Sequence, residues 1–211
     1  MTTIHRFLAH AALAGAGLAL GMPALAVVAY DEATQGDLSN DGLAPTPIVF
    51  GVGDNDLLGA SGVAGSSKSF LDYGTFTVPV NTQLTAVRVL PSTVGIESGD
   101  LLFLGLQPGN QLTVNPTTYA GQQNLIGWNH FSADDVGHDL ALNGDGNPSP
   151  LPLAAGQYSF WVQDYDDGVA PYGLRFSVES IAAVPEPQTY ALMALGLAVV
   201  GGVAARRRNG R

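Results

Sequence analysis

Gln157-Tyr158-Ser159-Phe160-Trp161-Val162-Gln163-Asp164 and, one loop later, Tyr172-Gly173-Leu174-Arg175-Phe176-Ser177-Val178-Glu179 decide the fold class. In the first stretch Tyr158, Phe160 and Val162 share one face, opposite Ser159, Trp161 and Gln163. In the second, Tyr172, Leu174, Phe176 and Val178 alternate with Gly173, Arg175, Ser177 and Glu179. Side chains on a strand alternate between faces, so each stretch predicts a half-buried antiparallel strand. The loop between them carries the turn signal Asp167-Gly168, and a hairpin is the natural pairing.

Working outward, Leu101-Leu102-Phe103-Leu104-Gly105-Leu106 is a continuous apolar run, short enough for a fully buried strand. Phe70, Phe76 and Val78 are assigned one face of an earlier strand, with Asp72 and Gly74 near a bend and Thr75 and Thr77 on the other side. Residues 84–90, residues 125–128 with Phe131, and residues 48–52 complete the strand set. Asp54-Asn55-Asp56 reads as turn chemistry, residues 60–69 and 143–152 as loops, and residues 27–47 as an irregular N-terminal arm. The outcome is about eight strands and no amphipathic helix in the domain. The expected fold is all-β, a jelly-roll-like antiparallel β-sandwich over residues 48–183.

The two ends read differently. Arg6 precedes an apolar segment over residues 7–22, Pro23 breaks it, and Ala24-Leu25-Ala26 places small residues where a signal peptidase reads. Residues 1–26 are therefore expected to be a signal peptide, cut after Ala26, with signal peptidase and the secretion machinery as partners. Near the other end, residues 188–205 carry no charge. As a helix they would span roughly 27 Å, enough for a hydrocarbon core. Arg206, Arg207 and Arg208 follow at once, opening the basic tail 206–211, and such a cluster is held on the cytoplasmic side. Pro185 and Pro187 keep Glu186 in extended backbone just before the helix.

Charge and composition exclude several classes. All of the 18 acidic residues except Glu186 lie within residues 27–184, and only Lys68, Arg88 and Arg175 of the eight basic ones do. So acidic a field repels phosphate backbones, which excludes nucleic acid, and it attracts divalent cations. The chain has no cysteine, which removes disulfide scaffolds, thiol catalysis and cysteine metal sites. About 160 residues between the two ends suffice for one ordinary core.

Candidate chemistry sits in loops. His130, Asp134, Asp135, His138 and Asp139 offer imidazole and carboxylate, but at no known zinc-protease spacing. Asp164, Asp166 and Asp167 put three carboxylates in one loop, which calcium favours. Asn143-Gly144-Asp145-Gly146-Asn147 begins like a calcium loop but has Pro148 and Ala154 where an EF-hand needs glycine and glutamate. No Gly-x-Ser-x-Gly elbow is present. Trp161, opposite Tyr158 and Phe160, is either packed or a sugar-stacking platform.

Pro185-Glu186-Pro187, the apolar helix and Arg206-Arg207-Arg208, in that order over residues 184–211, resemble the PEP-CTERM sorting signal of exosortase substrates. The resemblance implies recognition by an exosortase-type membrane peptidase, loss of the helix, and release or attachment at the cell surface. Phe76-Thr77-Val78-Pro79 and Leu153-Ala154-Ala155-Gly156-Gln157-Tyr158 resemble the bacterial pre-peptidase C-terminal sandwich domain, from which Tyr73-Gly74 departs. The expectation is an exported, non-enzymatic surface or extracellular-matrix protein that binds calcium or carbohydrate, with exopolysaccharide as a partner. The alternative is a secreted hydrolase that uses loop carboxylates or the His130/His138 region.

Overall fold

The computed structural model describes residues 25–62, 71–93, 101–114, 125–141, 147, 150–164, 168–181 and 187–209. Strands β1 (Val27–Asp31), β3 (Gly53–Gly62), β9 (Val169–Ser180) and β5 (Thr82–Val89) form one sheet in the order β1-β3-β9-β5. Strands β2 (Thr46–Ile48), β4 (Leu71–Val78), β8 (Gly156–Asp164), β6 (Leu102–Pro108) and β7 (Gly127–Phe131) form the other, in the order β2-β4-β8-β6-β7. Neither sheet closes on itself.

One core holds the two sheets face to face. Leu57, Leu84, Val87, Leu174 and Phe176 of the first sheet share a buried cluster with Phe76, Val78, Leu104, Phe160 and Val162 of the second. Phe76 is the hub, with ring centroids 5.5 Å from Phe176 and 6.4 Å from Phe160. Gly74 has a packing reason. A Cβ there would collide with the Phe160 ring, so the small residue in Tyr73-Gly74 makes room for an aromatic side chain on the paired strand.

The second sheet is buried on its outer face too. Tyr73, Phe103, Leu112, Leu125 and Trp161 form a separate cluster there, and the Phe103 and Trp161 rings are 4.5 Å apart. The run Leu102-Phe103-Leu104-Gly105-Leu106 is buried throughout, as its unbroken apolar character predicts. The face alternation predicted for β8 and β9 also holds. Phe160, Val162, Leu174, Phe176 and Val178 point into the main core and Trp161 into the outer cluster.

Several expectations need correction. The strand expected over residues 48–52 does not form, since β2 stops at Ile48 and β3 starts at Gly53. β8 and β9 do not form a hairpin: β8 pairs with β4 and β6, and β9 pairs with β3 and β5. Period-two alternation fixes a strand's faces but says nothing about its neighbour. The sandwich is not wholly antiparallel either, because β1·β3 and β2·β4 are parallel pairs. The arm 27–47 is not irregular: it contains β1, the one-turn helix α1 (Glu32–Gln35) and β2. Finally, Asp54-Asn55-Asp56 and Ala60 lie in the ten-residue strand β3, not in a turn and a loop. Polar residues fit there because Asp54 and Asp56 meet Arg175 on the outer face. The inward Asn55 amide donates to Gly51 O at 3.0 Å and Phe176 O at 3.2 Å. Phe70 lies outside the described residues.

The C-terminal helix α2 spans Pro187–Asn209. Proline suits a first helical position, where its missing N–H has no intrahelical partner to lose. Leu192, Leu195, Val199 and Val200 stand exposed along α2, as do Arg206 and Arg207 near its end. Among the described residues, no helix is long and apolar enough to cross a membrane. The span expected over residues 188–205 is therefore not found.

Candidate functional site

The N-terminal segment builds the site. Asp31 caps α1, its Oδ1 accepting from Ala33 N at 3.0 Å, the usual way to satisfy an orphan donor at a helix start. Gly36, at φ 94°, ends the turn after one round, and Tyr30 Oη ties it back by donating to Gly36 O at 2.9 Å. Glu32 and Asp37 thus stand on either side of a tight reversal. Glu32 is fixed by two backbone donors, its Oε1 accepting from Leu38 N at 3.0 Å and its Oε2 from Ala60 N at 2.7 Å. The second bond clamps the segment onto β3.

Asp72 arrives from the opposite sheet. It shares the inward face of β4 with Gly74, Phe76 and Val78, yet it is only 2% exposed. Tyr172 of β9, at 1%, reaches the same place. Gly59 makes that possible: a Cβ there would sit 2.5 Å from Tyr172 Oη and 3.0 Å from Glu32 Cδ. One carboxylate oxygen each from Glu32, Asp37 and Asp72 lies within 4.8 Å of the others. An open cleft of about 440 Å³ leads to the cluster, lined by Asp31, Glu32, Asp37, Gly59, Ser92 and Tyr172.

The electrostatics follow from burial. Loss of water pushes the Asp72 carboxyl up to about 8, and the neighbouring charges of Glu32 and Asp37 add to the rise. Burial also raises Glu32, against the pull of its two backbone N–H groups. The Tyr172 hydroxyl is pushed well above its ordinary value, first by burial and then by Asp72. Asp72 Oδ2 and Tyr172 Oη are both buried, and neither has a well-formed hydrogen bond among the described residues, although buried polar groups are almost always paired. They lie close enough for Tyr172 to pull Asp72 down against the effect of its burial.

The residues singled out from sequence go elsewhere. Ser132 and Asp135 form a capping box on the 3-10 turn Ala133–Asp135, with Ser132 N donating to Asp135 Oδ2 at 2.8 Å. His138 Nδ1 lies 3.5 Å from Asp135 Oδ1 on the surface. Asp139 Oδ1 accepts from Val87 N at 3.3 Å and Ala141 N at 3.0 Å, which fastens this loop to β5. His130 stands edge-on to the Phe103 and Trp128 rings, with centroids 5.8 and 5.5 Å away. Asp135 thus serves both the cap and His138, while Asp139 holds the backbone of β5.

Asp164 is buried at the end of β8, where its N–H donates to Ser61 Oγ at 3.1 Å. Asp166, Asp167 and residues 143–146 lie outside the described residues, as do Ala24, Pro185 and Glu186. Trp161 is fully buried, so it is no sugar platform. The acid cluster is hidden in the sequence because Glu32 and Asp37 fall in a stretch with no sustained apolar period. A signal existed in Asp72, an acid in phase with Phe76 and Val78 on a core-facing period.

Comparison with known proteins bears on one end of the chain. No curated protein and no solved structure matches it, so the resemblance to the pre-peptidase C-terminal domain is unsupported. Residues 183–208 match the model of the PEP-CTERM protein-sorting motif, a signal that implies export.

Proposed function

We propose that this chain is a non-enzymatic β-sandwich protein delivered to the cell surface or extracellular matrix through exosortase processing. The match of residues 183–208 to the sorting motif carries the reading. In this view residues 1–26 are removed by signal peptidase. The C-terminal segment 184–211 retains the chain at the inner membrane until processing, with Arg206, Arg207 and Arg208 on the cytoplasmic side. The exosortase acts at Pro185-Glu186-Pro187, and the sandwich is then released or attached outside. Its ligands there are calcium or carbohydrate, exopolysaccharide included. The hydrolase alternative draws no support from Asp135 and Asp139, whose carboxylates are engaged in backbone hydrogen bonds.

Replacing Pro185, Glu186 and Pro187 by alanine tests the sorting step. The variant is expected to stay at full length in the inner membrane, while the native chain yields a shorter external form by mass analysis. Normal release of the variant would overturn the proposal.

A further inference from the structure

We propose that Glu32, Asp37 and Asp72 form a calcium site at one end of the sandwich, closed on its inner side by Tyr172. The donor set contains only oxygen, which selects a hard cation over zinc or copper. Calcium sits 2.3–2.6 Å from its ligands, so two oxygens on one ion are at most about 5 Å apart. The three carboxylates already meet that limit, with one oxygen from each within 4.8 Å of the others.

The acids alone would not make a site. What points to a ligand is the pair of orphaned groups beside them. Asp72 is 2% exposed and its Oδ2 has no well-formed hydrogen bond among the described residues, and the Tyr172 hydroxyl beside it is in the same position. An unpaired carboxylate oxygen inside a core is costly unless something compensates it. The rest of the geometry suits a cation. Glu32 is held in place by Leu38 N and Ala60 N, and each of its oxygens keeps a further lone pair. Asp37 is exposed, and the cleft gives an ion and its remaining waters a way in. A bound ion would join the N-terminal segment to both sheets at once. The site is independent of how the chain is sorted, and its proposed ligands include none of Asp164, Asp166 and Asp167.

The test uses the purified full-length chain in detergent, stripped with chelator. Calcium chloride is titrated calorimetrically and by thermal melting, beside sodium chloride of equal ionic strength. One calcium per chain and a melting temperature raised by several degrees are expected. Asp72→Asn and Asp37→Asn should each weaken binding by about tenfold or more, while Asp166→Ala leaves it unchanged. Asp37 is on the surface, so its variant tests the site without altering a buried group. A calcium effect no larger than that of sodium would overturn the proposal and leave the cluster as acids sharing protons. Loss of calcium binding in Asp166→Ala, with retention in Asp37→Asn, would overturn it by moving the site to the β8–β9 loop.

Discussion

At the scale of single residues, Asp72 has the largest consequences for stability. Its carboxyl titrates near 8 in the folded chain, against an ordinary 3.8. Between those values the folded state holds a proton that the unfolded state has already released. Stability therefore falls as pH rises across that window and levels off above it. At about 1.4 kcal/mol for each tenfold change in proton affinity, the loss amounts to several kcal/mol. Asp72→Asn should match the native protein near pH 4 and outlast it progressively toward pH 8. Thermal melts in chelator at a series of pH values will show this, and a constant offset between the two would contradict the burial of Asp72. Gly59 is the complementary case. Gly59→Ala drives a methyl group against the buried Tyr172 ring and hydroxyl, and should cost about 1–3 kcal/mol in denaturant unfolding.

At the scale of elements, β3 shows how much a sequence hides. Arg175 of β9 holds Asp56 through two bonds, Nε–Oδ1 at 2.7 Å and Nη2–Oδ2 at 2.9 Å, with Asp54 Oδ2 3.6 Å from Nη1. Arg175→Met would remove the cation that Asp54 and Asp56 share, leaving Arg88 on β5 as the neighbouring basic residue. The expected loss is about 1 kcal/mol, high for a partly exposed pair because the contact is bidentate, and it should shrink in high salt. Asp54-Asn55-Asp56 looks like a turn because these residues usually break strands. Only the distant Arg175 and the backbone oxygen of Phe176 explain why this one persists, and neither is visible locally. By contrast, the faces of β6 and β9 and the inward face of β8 were legible in the apolar pattern, whereas the burial of β8's outer face, with Ser159, Trp161 and Gln163, was not, because a second apolar cluster covers it. The partners of β8 and β9 were not, because both are interior strands of different sheets. The acid cluster was illegible for a related reason: its members come from α1, the segment after it and β4, which only the packed sheets bring together.

At the scale of the whole molecule, the two strands delivered last occupy interior positions. β8 lies between β4 and β6, and β9 lies between β3 and β5. Along β3 the ladder with β9 runs from Gly53↔Val178 to Gly62↔Val169 without a break. A chain ending at residue 168 would leave β3 and β5 with no strand between them. It should lack slow amide exchange and be cut rapidly by protease, whereas the intact chain resists. This arrangement also sets an order of events. Pairings between residues so far apart in sequence form slowly, and here they must wait for the final strand to arrive. On the proposed export route, a polypeptide threaded outward from its N-terminus would not lock into its final shape while still crossing. It would complete its folding only when little besides the sorting segment remained behind.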